Sequence, residues 1–309
     1  MKNFIVPKIF FLMISVPTVL LAFTYNISEE QLVRVSYIST VDNLERDFFL
    51  YLPKGYNENP ERQWPVILFL HGDGERGNGK DELDYVLTHG PLYEAWIQKR
   101  DLPFIIISPQ LHMFGRDTLG IDFLTNRDPN KIPKRLKEGV SEREPDFVTD
   151  YPMEGTTPFE DFTDELPKSK DGWNRVEDDL LSILNIVTTK YNADKNRIYL
   201  SGLSYGGFGT WYMASKHPEL FAAINPIVGW GHPSLMEPIA KYKIPVWTFA
   251  GGRDNGDEKV EYFLKGLNKL EELGDPEVLF TIHEDMGHDT WKRVYAGEDI
   301  YNWFLKHSK

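Results

Sequence analysis

Arg197-Ile198-Tyr199-Leu200-Ser201-Gly202-Leu203-Ser204-Tyr205-Gly206-Gly207-Phe208 opens as a short β-rich apolar run, tightens through small residues and continues as a helical stretch to Lys216. A Gly-x-Ser-x-Gly motif at a strand-turn-helix corner forces the serine into strained backbone geometry. Only small residues two before and two after it then avoid the neighbouring backbone. Gly202 and Gly206 meet that need. The five-residue motif alone is common. Its flanking strand and helix are what single out Ser204 as a nucleophile rather than a residue of an ordinary glycine-rich turn.

A serine hydroxyl is a poor nucleophile at neutral pH and needs an adjacent base, usually a histidine oriented by a carboxylate. In the α/β-hydrolase arrangement to which this corner corresponds, the chain order is serine, acid, histidine. Besides His307 at the tail, His283 and His288 lie late enough. His283 falls just after the apolar run 278–282 and reads as a partly buried polar residue at a strand end. His288 sits in Glu284-Asp285-Met286-Gly287-His288-Asp289-Thr290-Trp291, a loop between the last strand and the last helix, and is the expected base. The acid should follow the preceding strand, 246–250, where Gly251-Gly252-Arg253-Asp254-Asn255-Gly256-Asp257-Glu258 stands. Asp254 at the first turn is the leading candidate. Asp257 and Glu258 are the alternatives, more easily read as the acidic start of a helix.

An oxyanion hole requires backbone N–H groups with little side-chain obstruction. His71-Gly72-Asp73-Gly74-Glu75-Arg76-Gly77 follows the apolar run 66–70 and has the glycine spacing for it. The expected donors are the N–H of Tyr205, which follows the nucleophile, and that of Asp73 or Gly74. Glu75 and Arg76 read as a local ion pair with a structural task.

Around this constellation, continuous apolar runs at 48–52, 66–70, 104–108, 198–200, 223–228, 246–250 and 278–282 are strand candidates. Continuous rather than alternating runs suit strands buried on both faces of a mostly parallel sheet. Between them, Val176, Leu180, Ile183, Leu184 and Val187 recur at helical spacing, as do Val260, Phe263, Leu264, Leu267 and Leu270. Residues 291–305 read as one closing helix. The predicted fold class is α/β, with helices on both faces of the sheet. Residues 26–309 are expected to form a single catalytic domain, with no repeat or linker to divide it.

One region breaks the pattern. From 111 to 171 the chain is acidic, proline-punctuated and aperiodic, far longer than a usual connection of about 4 to 6 residues. It reads either as a surface insertion or as a cap over the site, with Phe123, Phe147, Tyr151, Phe159 and Phe162 available to both roles.

A formal net charge of −13 argues against nucleic acid or an anionic membrane surface as partner. With no cysteine among 309 residues, a disulfide framework, a thiolate metal site and a cysteine nucleophile are excluded. Lys2 and Lys8 precede an apolar stretch, 9–23, that contains Pro17 and falls short of the about 20 residues needed to span a bilayer. Residues 1–25 are thus expected to be an export signal, cleaved near Ala22 to Tyr25, rather than an uncleaved anchor. This places the mature chain in the periplasm or outside the cell, without stable membrane insertion.

Several segments together carry a resemblance: Tyr51-Leu52-Pro53-Lys54-Gly55-Tyr56, the 71–77 loop, His89-Gly90-Pro91, Ser108-Pro109-Gln110, the Ser204 corner and Gly287-His288-Asp289-Thr290-Trp291. From 48 to 305 the chain resembles the secreted esterases related to carbohydrate esterase family 1, which include feruloyl and acetylxylan esterases and polyhydroxybutyrate depolymerase-like proteins. The resemblance implies a triad of Ser204, Asp254 and His288, hydrolysis of carboxylic esters with no cofactor, and a polysaccharide-linked feruloyl or acetyl ester as substrate. The chain departs from the family pattern at Tyr205, where methionine is common, and at 255–258, where an apolar pair and a proline usually follow the acid. Two other readings use the same residues: a serine peptidase of related fold, and a carbohydrate-binding protein without catalysis. Trp230 and Trp291 are candidates to line a sugar or aromatic acyl site, or to be core.

Overall fold

The computed structural model describes residues 28–140, 170–254, 260–274 and 276–309. Within them the apolar runs pair into one eight-stranded sheet in the order β1-β2-β4-β3-β5-β6-β7-β8. The strands are β1 (Gln31–Ile38), β2 (Glu45–Leu52), β3 (Trp64–Leu70), β4 (Ile105–Ser108), β5 (Ala193–Leu203), β6 (Ala223–Ile227), β7 (Val246–Gly251) and β8 (Val278–His283). Only β2 runs against its neighbours, β1 and β4; every other pairing is parallel.

Successive strand residues point to opposite faces, and here both faces are covered. Leu50, Val66, Leu68, Ile105, Ile107, Ile198 and Leu200 pack on one side with Leu180, Ile183, Leu184 and Val187 of helix α1 (Glu177–Lys190). Tyr51, Ile67, Phe69, Ile106 and Tyr199 pack on the other with Ile300, Tyr301, Trp303 and Phe304 near the C-terminus. Double-sided burial is why the runs read as continuous. Each fully buried Leu, Ile or Phe contributes about 1.5–3 kcal/mol, so the central strands are the most firmly held part of the molecule.

Further helices are α2 (Tyr205–Lys216), α3 (Met236–Lys241), α4 (Val260–Glu272), α5 (Trp291–Ala296) and α6 (Asp299–Phe304), besides shorter helical segments such as Gly90–Leu92. The single closing helix expected over 291–305 is in fact two. Gly297 leaves helical geometry at φ −75° and ψ 161°. The buried Arg100 guanidinium takes up the freed carbonyls, donating to Tyr295 O and Ala296 O at 2.8 Å and to Gly297 O at 3.3 Å. Unpaired helix-end carbonyls need such a partner. Val228, expected to end β6, instead leaves extended geometry at φ 44°, although its N–H still donates to Phe249 O of β7 at 2.9 Å. Asp179, also buried, ties α1 to the turn after β1 by accepting from Ser39 Oγ at 2.6 Å and Thr40 N at 2.6 Å.

The described part of the aperiodic insertion contains only short turns: Arg116–Thr118, Asp122–Thr125 and Pro129–Lys131. Phe123 is exposed there, while Phe147, Tyr151, Phe159 and Phe162 lie outside the described residues. So do residues 1–25. Among the described residues no helix is long and apolar enough to cross a membrane.

Candidate active site

The corner between β5 and α2 has the strained form that its sequence demands. Ser204 sits at φ 52° and ψ −117°, and its N–H donates to Ile227 O at 2.9 Å. The flanking glycines are each enforced by a different neighbour. A Cβ on Gly202 would fall on the Gly206 carbonyl and lie 2.7 Å from Thr210 Oγ1. A Cβ on Gly206 would fall on the Leu70 carbonyl at the end of β3. The nucleophile candidate is thereby held at the C-terminal edge of the sheet, against the start of the 71–77 loop.

Two further loops converge there. His288, just past β8, places Nε2 2.9 Å from Ser204 Oγ and Nδ1 2.7 Å from Asp254 Oδ2. Asp254, just past β7, is buried. With the carboxylate facing Nδ1, the imidazole proton belongs on Nδ1, which leaves Nε2 free to accept the serine proton. Asp257 and Glu258, the alternative acids, lie outside the described residues. His283 ends β8 away from this pairing. Its ring stacks on Phe249 at 6.0 Å, and Arg293 Nη1 lies 3.4 Å from its Nδ1.

The acid and base loops are packed backbone to backbone, a feature that sequence reasoning missed. A Cβ on Gly251 would lie 2.7 Å from the Gly287 carbonyl carbon and 2.8 Å from Met286 O. Gly252 N donates to His283 O at 2.9 Å, and Arg253 N to Met286 O at 2.9 Å. The signal was present as Gly251 and Gly252 just upstream of Asp254 and Gly287 immediately before His288.

Gly72 presses the 71–77 loop on the serine: a Cβ there would stand 3.6 Å from Ser204 Cβ. His71 fixes the loop. Leu111 N–H donates to its Nε2 at 2.9 Å, so Nδ1 carries the proton and donates to Gly72 O at 2.6 Å. Burial depresses this imidazole to about 3, keeping it neutral. Asp73–Glu75 then makes a single 3-10 turn. Tyr205 opens α2, so its N–H belongs to the first turn of a helix, where donors lack an intrahelical partner.

The expected Glu75–Arg76 ion pair does not form. Arg76 Nε pairs instead with Asp73, and its Nη1 donates to the carbonyls of His112 at 2.8 Å and Asp171 at 2.7 Å. In the 3-10 turn the Asp73 carboxylate, three residues back, is the one brought onto the guanidinium. Arg116, from the insertion, closes on the same group, with Nη2 2.6 Å from Asp73 Oδ2 and Nη1 2.8 Å from Asp171 Oδ2. Both guanidiniums lie against the Tyr205 ring, Arg76 at 4.8 Å and Arg116 at 5.1 Å, and the tyrosine hydroxyl accepts from Arg116 at 3.1 Å. Arg116 and Asp171, from the two described ends of the insertion, are thus held together beside Tyr205. Burial raises the Tyr205 phenol, with the Asp171 charge adding to it.

Trp291 stands edge-on to His288 at 5.3 Å and lies 5.5 Å from His89. Trp230 stacks on Tyr262 at 5.6 Å and meets Phe208 edge-on at 5.3 Å. A cavity of about 720 Å³ runs beside α2 between Trp173, Phe208, Tyr212, Trp230, Leu235 and Pro238. It flanks the Ser204–His288 pair rather than containing it. Among the described residues no group of three or more His, Asp or Glu is placed to hold a metal ion.

Residues 155–262 match the model of the prolyl oligopeptidase family, less than half of the chain. A 53-residue stretch is 40% identical to feruloyl esterase B of Neurospora crassa, covering 17% of this chain and 18% of that protein. A thermostable esterase structure is similar at 26% identity and a TM-score of 0.57, over 90% of this chain and 63% of its own. A feruloyl esterase module from Clostridium thermocellum complexed with sinapinate is similar at 14% identity and a TM-score of 0.54, over 89% of this chain and 87% of its own. The chain thus spans less than two thirds of the length of feruloyl esterase B and of the thermostable esterase. With these likenesses, the strand order assigns the chain to the α/β-hydrolase fold.

Proposed function

We propose that this α/β-hydrolase is a serine esterase that works through an acyl-enzyme. The observation that carries the reading is the unbroken hydrogen-bonded line from Ser204 Oγ through His288 to Asp254. Ser204 attacks the ester carbonyl as His288 Nε2 removes its proton. Asp254 holds the imidazole orientation and stabilises the imidazolium. N–H groups of Tyr205 and of Asp73 or Gly74 receive the developing oxyanion. His288 then returns the proton to the leaving alcohol, and water repeats the sequence on the acyl-enzyme.

For substrate, the reading favours feruloyl or acetyl esters of a polysaccharide, outside the cytoplasm. It is supported by the likeness to feruloyl esterase B, by the aromatic side chains beside Ser204 and by the charged-then-apolar order of residues 1–25. The acidic net charge is consistent with a neutral or weakly charged substrate. A peptidase reading also has an observation in its favour, the prolyl oligopeptidase family match over 155–262.

A panel of feruloyl, acetyl and longer acyl esters, run beside peptide anilides, separates the two. Ester turnover with inert anilides is expected, together with fluorophosphonate addition at Ser204 and loss of nearly all turnover in Ser204→Ala. Undiminished activity in Ser204→Ala would overturn the mechanism. Anilide cleavage at rates matching the esters would overturn the substrate class.

A further inference from the structure

Glu75 stands beside the nucleophile yet belongs to none of the ion pairs around it. Its side chain is 10% exposed, and Oε2 has no hydrogen-bond partner. A Cβ at Gly72 would lie 3.3 Å from Glu75 Oε2 and 3.6 Å from Ser204 Cβ. The acid and the serine therefore press on the same point of the 71–77 loop.

The groups facing it offset a charge only in part, through two backbone N–H groups and the more weakly acting Arg127. Oε2 is 3.8 Å from His71 Nδ1, whose proton is committed to Gly72 O. Oε1 is 3.8 Å from His89 Nε2. Burial holds His71 down to about 3 and His89 to about 4, so both are neutral. Arg76 is engaged by Asp73, and Arg127 by Glu82 and Arg76 O. Asp73 adds repulsion. Burial pushes the Glu75 carboxyl up to about 7, against the opposing pull of the Glu75 and Gly72 backbone N–H groups.

We propose that Glu75 is a positioning residue for acyl transfer: as the neutral acid it packs the 71–77 loop against Ser204, and on ionising it sets a negative charge in that loop, beside the serine. This rests on Ser204 as nucleophile and on that loop as the oxyanion loop. A like charge so close to a developing anion, in a water-poor setting, opposes the transition state. Turnover should then fall as Glu75 ionises, giving an alkaline limb near pH 7.

The test uses the full chain, with kcat and KM on a neutral aryl ester and the rate of fluorophosphonate labelling followed from pH 5 to 9.5. In the wild type, kcat at pH 9 should fall about tenfold below its maximum with KM little changed. Glu75→Gln, which keeps the shape without the charge, should raise the ratio of kcat at pH 9 to kcat at pH 6 to near one. A wild-type labelling rate that climbs steadily through pH 9 overturns the proposal without any variant. An unchanged alkaline limb in Glu75→Gln does so as well. Should the label attach elsewhere than Ser204, the reading beneath the proposal fails instead.

Discussion

Replacing Gly206 by alanine tests the geometry of the serine corner directly. The added methyl would sit 2.5 Å from the Leu70 carbonyl carbon and 2.8 Å from His71 O, with the Leu70 oxygen closer still. Ordinary carbon contacts lie at about 3.5–4.0 Å, so the start of α2 and the end of β3 must part by about 1 Å or more. Both partners are backbone, and neither can swing aside. Overpacking in a core typically costs about 1–3 kcal/mol, and a clash between two backbones belongs at or above the top of that range. For a chain of this size the melting temperature should drop by about 5–12 °C. The same parting carries Ser204 away from the 71–77 loop, and a 1 Å misplacement can cost about a hundredfold in rate. Gly74→Ala is the stability control, because nothing lies within 4 Å of its would-be Cβ. Thermal unfolding followed by circular dichroism and kcat/KM on a short-chain aryl ester read both effects. A Gly206→Ala protein that melts within about 1 °C of wild type and keeps its kcat/KM would refute the steric reasoning.

Asp254→Asn should keep the fold but present the wrong hydrogen-bond pattern to His288 Nδ1, lowering kcat by about 10³–10⁴-fold at neutral pH; a loss of less than tenfold would point to another acid. Arg116→Ala removes the link between Asp73, Asp171 and the Tyr205 ring, and should cost about 1–3 kcal/mol in chemical denaturation. Arg116→Lys should recover little, since an ammonium lacks the planar fork; full recovery would mean that charge alone matters. Glu75 also links stability to pH. Its folded-state pKa, about 7, exceeds the ordinary 4.5, so the native state binds the proton more tightly and stability falls as pH rises between those values. At about 1.36 kcal/mol per unit, wild type should lose up to about 3 kcal/mol relative to Glu75→Gln between pH 4 and pH 8, and a constant difference across that range would contradict the burial argument.

What could be read from the sequence follows from how local each constraint is. Strands β2 to β7 declared themselves because both faces of the sheet are covered there, which leaves no polar alternation to obscure the run, and β8 by its apolar run alone. β1 was missed: among the described residues it pairs only with β2, and apart from the buried Tyr37 its half-buried and exposed residues resemble a loop. The break at Gly297 depends on Arg100, nearly two hundred residues earlier, and no local window contains that pairing. Ser204 was legible because its strain is settled within five residues. Asp254 and His288 were legible because each follows its strand closely, and the structure brings both within hydrogen-bonding distance of their partners. The Arg116–Asp171–Tyr205 clamp was not, since two of its members come from an aperiodic insertion whose sequence carries no period to anchor them. Glu75 and Arg76 were paired by adjacency, whereas the 3-10 turn brings Asp73 to the arginine.

The sheet order distributes the triad candidates unequally. Ser204 follows β5, a central strand flanked on both sides and buried over most of its length. His288 follows β8, the outermost strand, whose residues are partly or largely exposed. Free energies of local opening vary in the same sense, small at edges and approaching the global value at the centre. His288 can therefore detach by fraying of one edge while the Ser204 corner stays folded. Heat or mild denaturant should silence the protein reversibly before it melts, and amide exchange around β8 should report that silent state while β5 remains protected.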